Sequence, residues 1–254
     1  MKKYKYLFVV FFILVAFVSI FYTPYPYEQM NNDLKLEGAS LSHWMGCDDF
    51  GRDILSRVMI AVRNTIFIAI CTNVIGATFG IVIGITSGYI GGRIDSVFMR
   101  INDALFAFPS ILIALLFVSI SGGGSLIVVL SLGIAFIPSY IRIARGEVIK
   151  QKNMDYVSVA KLLGASWIRI AFWHILPNIR PVLVSSIIIG FNNAIIAEAG
   201  LSFLGIGVSP PNASLGKMLS EAQAYLFSMP MYAIGVGGVM IAMILSFAMA
   251  AKSE

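Results

Sequence analysis

Few residue types in this chain stand at spacings that do chemistry. His43 and Cys47 are four apart, as two metal ligands can be. A metal site needs more ligands in fixed geometry, so none is expected there. Phosphate-binding loops need a Gly-rich backbone followed by Lys-Ser or Lys-Thr. Gly216-Lys217 is followed by Met218, so the chain is not expected to hydrolyse ATP or to hold a cofactor of its own. His174 reads as a structural residue. A denser cluster lies at 43–57, where Asp53 can pair with Arg52 and Arg57. On a solvated loop each such pair contributes under about 1 kcal/mol. Glu198 follows an apolar run, with Asn192 and Asn193 one to two turns before it. Polar groups at membrane depth face a bundle interior or a water-filled path, or they bond between helices. Both readings stay open for these three.

The elements that must position these groups follow from composition. Of 254 residues, 58% are apolar and 12% charged, against a usual charged share of about 25%. Mean hydropathy is +0.87. A water-soluble enzyme is excluded because its outer shell must be mostly polar, and disorder because the chain is apolar and low in charge. The net charge of +5 comes from residues lying between apolar runs. Flanks of membrane spans explain that balance better than nucleic-acid binding. A disulfide between Cys47 and Cys71 is not expected, since one falls inside an apolar run and the other outside.

Six apolar runs are long enough, with a few flanking residues, to cross a bilayer core of about 30 Å as helices. They are residues 7–22, 66–85, 105–121, 126–141, 182–197 and 231–251. The first reads as an uncleaved span rather than a signal peptide, because no small-x-small site follows it. With the N-terminus inside, the inner segments hold 13 Lys and Arg, including Lys2, Lys3, Lys5 and Lys252, and the outer segments hold 5. Both termini are therefore expected in the cytoplasm. Residues 1–62 read as a first span with its outer loop. Residues 63–254 read as a five-helix core with an inner loop at 142–180. Gly122-Gly123-Gly124 reads as a tight outer turn. The expected architecture is all-α, integral and multi-pass.

The inner loop reads as helix, turn, helix. Asp155 can cap a helix over 156–163, Gly164 can end it with a positive φ, and Ser166 can cap a second helix over 167–176. Pro177 then breaks the pattern before the fifth span. A two-turn helix is marginal alone in water. It must pack on its own bundle or the lipid interface, or enter a groove on a cytoplasmic partner. The short inner loop at 91–104 reads as an interfacial helix leading into the third span, with Ile94, Val97, Phe98, Ile101 and Leu105 on one face.

Four segments, in order, carry a resemblance. Ala160-Lys161-Leu162-Leu163-Gly164-Ala165-Ser166 followed by His174-Ile175-Leu176-Pro177-Asn178 resembles the EAA loop of bacterial ABC-transporter permeases. Ser158 and Val159 stand where that signature has Glu and Ala. Gly46-Cys47-Asp48-Asp49-Phe50-Gly51-Arg52-Asp53-Ile54-Leu55-Ser56-Arg57 resembles an outer motif of the dipeptide, oligopeptide and nickel permeases, with Cys47 in place of Thr. Gly92, Asp95, Arg100, Asp103 and Pro109 match the same branch. So does Glu198-Ala199-Gly200-Leu201-Ser202-Phe203-Leu204-Gly205, with Leu215 further on where Trp is common.

The resemblance implies a C-type permease subunit of a type I ABC importer in a bacterial inner membrane, moving short peptides or, alternatively, nickel or a metal chelate. Asp155, Ser158, Ala160, Lys161, Leu162, Gly164, Ala165, Ile175, Leu176 and Pro177 would couple it to an ATPase. Asn192, Asn193, Glu198 and Ser202 would line the translocation path. The implied partners are a homologous second permease, two cytoplasmic ATPase subunits carrying ATP and Mg, an extracytoplasmic binding protein and membrane lipid. An ion-coupled secondary transporter is the competing class, but it favours inverted repeats, and no internal repeat is evident.

Overall fold

A computed structural model describes residues 4–251, and all their regular structure is helical. Lys2, Lys3 and Lys252, used above for orientation, lie outside the described residues. The helices are α1 (Tyr4–Phe21), α2 (Ile54–Ile90), α3 (Gly92–Phe106), α4 (Ser110–Ser121), α5 (Ser125–Gln151), α6 (Asp155–Leu162), α7 (Trp167–Arg169), α8 (Leu176–Phe203), α9 (Leu215–Ala222) and α10 (Pro230–Ala251). Long uniformly apolar runs become helices because lipid offers no partner to a backbone N–H or C=O. Four helical stretches are long and apolar enough to span: α2, α5, the continuous run Trp167–Phe203, and α10. The pair α3 and α4 makes a fifth if counted as one span, and α1 is a shorter apolar helix packed on α10.

Two compact units divide the described residues. The first takes in the chain as far as Ile70, Leu115–Val129 and everything from Asn192. The second takes in Cys71–Ala114 and Leu130–Phe191.

Two expectations change. The run at 105–121 is not one straight span: Leu105 and Phe106 belong to α3, and α4, of 12 residues, departs from it by 82° at Pro109. Proline removes a donor and its ring excludes a continuing α-turn, so the chain breaks there although hydropathy does not fall. Helix α5 continues to Gln151, through the first ten residues of the segment 142–180. Pro177 does not break its helix. Residues Ile170–Ile175 widen into a π-helix just before it, and the helical run carries on into α8. The wider turn makes room for the proline ring, and the Asn178 side chain donates to the His174 carbonyl at 2.7 Å.

In the second unit, α2 and α5 pack through small residues. Gly76, Gly80, Gly84 and Gly88 recur every fourth residue on α2 against α5. A Cβ at Gly84 would lie 2.6 Å from the Ile141 carbonyl oxygen, so the two backbones meet with nothing between them.

Candidate functional site

The inner loop is a small folded unit. Met154, not Asp155, takes the N-cap position of α6, because the chain is extended at Met154 and already helical at Asp155. Asp155 instead places its carboxylate in the first turn, where the helix dipole favours it. Gly164 has φ +77°. Its N–H donates to the Lys161 carbonyl, and that of Ala165 to Ala160, the bond pair of a helix that stops on a left-handed residue. The Ser166 hydroxyl accepts from the Arg169 N–H at 3.4 Å, so this expected cap is present. Val157 and Ala160 on α6 join Ile170, Ala171, Ile175 and Ile179 in one core with Ile85, Ala144 and Val148. Tyr89 stacks with Trp167, and the Lys161 ammonium lies over its ring at 5.8 Å. The opposite rim is bare: Leu162 is 88% and Leu163 82% exposed, with Val159, Ile168 and Trp173 exposed around them. Ser158 and Pro177 are exposed and Leu176 half-buried.

Helix α3 keeps the apolar face read from its sequence exposed and fixes its other side to α5. Asp95 accepts from Arg145 Nε and Nη2, both at 2.6 Å. Asp103 accepts from Arg142 at 2.9 Å, and that guanidinium covers the Phe106 ring at 3.8 Å. Arg100 is exposed, and Gly92 starts the helix with φ +63°.

The outer motif is buried, not a solvated loop, and its pairs differ from those expected. Asp48 accepts from the Phe50 and Arg52 backbone N–H groups and from Arg52 Nε at 2.7 Å, with Arg57 Nε 3.5 Å away. Asp53 caps α2: its Oδ2 accepts from the Ser56 N–H at 2.8 Å and the Ser56 hydroxyl at 2.7 Å. Its Oδ1 lies 2.9 Å from His43 Nδ1. Gly46 and Gly51 take positive φ at the two corners. Cys47 is fully buried, and burial, with Asp53 nearby, pushes its thiol up to about 11.

Glu198 is enclosed. The Thr65 hydroxyl donates to its Oε2 at 2.7 Å, and Ser202 and Ser214 donate to its Oε1 at 2.7 and 2.8 Å. Those donors come from α2, α8 and the residue before α9. Within the first unit Glu198 thus holds elements together and does not face an open surface. Asn192 is half-buried, with its Oδ1 buried and without a hydrogen-bond partner among the described residues, and Asn193 is exposed.

The model of the binding-protein-dependent transport system inner membrane component family matches residues 80–252. The dipeptide transport system permease protein DppC of Haemophilus influenzae is 36% identical over 248 residues, covering 94% of this chain and 84% of the relative. The glutathione transport system permease protein GsiD of Pectobacterium atrosepticum is 39% identical over 233 residues, covering 90% and 76%. The DppC protein of Alkalihalophilus pseudofirmus is 35% identical over 239 residues, covering 94% and 78%. The chain belongs to this family of inner membrane transport components.

Its fold is that of the type I ABC importer permeases. In this permease, sequence reading located the four segments but missed what ties them down. The Asp95–Arg145 and Asp103–Arg142 pairs join residues 50 and 39 apart, and no local pattern announces them. Asn102, off the apolar face of α3, is buried, with both amide atoms lacking a hydrogen-bond partner among the described residues. The glycine spacing on α2 was visible in the sequence as a small residue every fourth position.

Proposed function

We propose that this permease is the C-type subunit of an ATP-driven importer of short peptides, with six spans and both termini in the cytoplasm. It is non-catalytic. ATP and Mg are held by two soluble ATPase subunits, a homologous permease completes the path, and an extracytoplasmic binding protein delivers the cargo. The peptide assignment is supported by relatives named for dipeptide and glutathione transport. Residues 1–62 form a first span and outer loop, and 63–254 the transporting core.

One observation carries the coupling assignment. Helix α6 is two turns long, locked into the core by Val157 and Ala160, and presents Val159, Leu162 and Leu163 bare on its far side. So short a helix with so apolar a rim is a docking knob fastened to its own bundle. When ATP closes the ATPase dimer, the knob moves with its groove and tilts the run from Trp167 into α8. Asn192 and Asn193 then line the path, with Glu198 and Ser202 holding the outer loop behind them. ATP drives this only by favouring one state over the other.

Gly164→Pro tests the assignment. Proline locks φ near −65° and removes the N–H that bonds Lys161, so the turn cannot form. In the reconstituted complex, substrate-stimulated ATPase activity should fall at least about tenfold, with the chain still inserted. Unchanged stimulation would overturn the assignment. Mass spectrometry of what co-purifies with the tagged wild-type chain checks the partners, and recovery of the chain alone, still folded, would favour the secondary transporter.

A further inference from the structure

One cavity plays no part in the reading above. It lies in the first unit, has a volume of about 500 Å³, and is lined by Tyr22, Tyr25, Trp44, Asp53, Leu55 and Met59 among others. Its aromatic walls are held in place. The Tyr25 hydroxyl donates to the Ser42 carbonyl at 3.0 Å, and its ring is backed by His43 with centroids 4.5 Å apart. The Tyr25 N–H donates to the Ser56 hydroxyl at 3.0 Å. The Trp44 indole N–H donates to the Leu41 carbonyl at 3.2 Å while the side chain stays 73% exposed. Asp53 contributes to the wall, and its carboxylate is buried just behind the surface. Its partners are His43 and Ser56, and no Lys or Arg among the described residues pairs with it. The segment that supplies the lining, 22–59, has six acidic residues against three basic ones, a balance of three negative charges.

Aromatic walls with a buried carboxylate behind them and a negative field suit one chemistry, an organic cation. Aromatic rings attract ammonium through their quadrupole, and a negative field raises the local concentration of cations. The place suits it too. Tyr22 directly follows α1, and Leu55 and Met59 lie in the first turns of α2, so the cavity opens where two membrane helices meet water. Lipid headgroups lie at that depth, as does the aromatic belt of membrane proteins.

We propose that this cavity binds an ammonium group, carried by an aminophospholipid headgroup or by the free amino end of a peptide. Site and ligand class stand independently of the transport reading, and only the peptide arm of the test draws on it.

Trp44 is the reporter. The full chain, with Trp167→Phe and Trp173→Phe to leave one indole, is placed in phosphatidylglycerol vesicles, a lipid whose headgroup carries no ammonium. Choline, ethanolamine, dialanine and 3,3-dimethylbutan-1-ol, the neutral isostere of choline, are titrated in turn. At least one ammonium compound should change Trp44 emission saturably and bind at least about tenfold more tightly than the neutral alcohol. Tyr22→Leu, at an exposed position, should weaken it roughly threefold, the scale of one exposed cation–π contact. Replacing part of the lipid with phosphatidylethanolamine should shrink the response to soluble amines if the headgroup is the occupant. Saturation by dialanine that phosphatidylethanolamine leaves unaltered would assign the peptide amine. No saturable change with any ammonium compound, or an equal change with the neutral alcohol, overturns the proposal.

Discussion

Glu198 illustrates what a single side chain does here. A carboxylate of zero exposure that accepts three hydroxyl bonds costs little while all three are made, and each becomes an orphan when it goes. Glu198→Ala should therefore destabilise the detergent-solubilised permease by about 3 kcal/mol, as cavity and lost bonds add. Glu198→Gln, which keeps the shape and one strong acceptor, should lose less than half of that in thermal unfolding. A melt unchanged by the alanine variant would mean the hydroxyls find other partners. The sequence marked Glu198 as unusual by its depth, but Thr65 and Ser214 are 133 and 16 residues away, so its partners were not legible. Glu221 and Asp49 make stability depend on pH. Burial raises both carboxyls above their ordinary values of 4.5 and 3.8, and it outweighs the opposing pull of Arg57 and Arg52. A carboxyl with a raised folded pKa binds protons more tightly folded than unfolded. Its contribution is present below the unfolded value and is lost as pH rises through the folded one. Stability should thus fall as pH climbs above about 4.5, and Glu221→Gln should flatten that slope in melts taken across pH.

At the scale of elements, two expectations fail at prolines. Hydropathy reports how apolar a run is, not whether its backbone stays straight, so 105–121 read as one span although Pro109 turns it by 82°. The same blindness has the opposite sign at Pro177, where a π-turn absorbs the proline and the helix persists. Turn chemistry was more legible. Gly164 and Ser166 act as their residue types require, because those bonds close within a few residues. Two contacts between elements invite tests. Gly84→Val would drive a branched side chain into the Ile141 carbonyl, and α2 and α5 would have to part. Expression of folded, monodisperse protein should drop several-fold, and normal size exclusion would show that the pair can separate cheaply. Asp95 and Arg145 form a partly buried bidentate pair, worth about 1–3 kcal/mol when one partner is removed. A double-mutant cycle of Asp95→Asn and Arg145→Gln should give a coupling energy of at least about 0.5 kcal/mol, and additivity would assign α3 to lipid anchoring alone.

At the scale of the molecule, membrane residence was legible from composition, because so few charges cannot cover a soluble surface. The number and direction of the spans rest on a weaker signal, the excess of Lys and Arg in alternate segments. Two exposed residues separate the possibilities. Met30, 61% exposed, lies between α1 and α2, on the proposed outer side, and Leu162, 88% exposed, on the helix proposed to couple. If both termini are cytoplasmic, Met30→Cys should react with a membrane-impermeant maleimide in cells whose inner membrane is intact. Leu162→Cys should react only after that membrane is opened. The native background favours the experiment. Cys47 is fully buried, and with its thiol pushed up to about 11 it offers almost no thiolate at neutral pH. Cys71 is half-buried within α2. The reverse labelling pattern would invert the topology and put Leu162 and Leu163 on the wrong side of the membrane to meet an ATPase. Labelling of both positions in intact cells would mean an odd number of spans fewer than assumed between them, and the bent pair of α3 and α4 would then be a re-entrant loop, not a crossing.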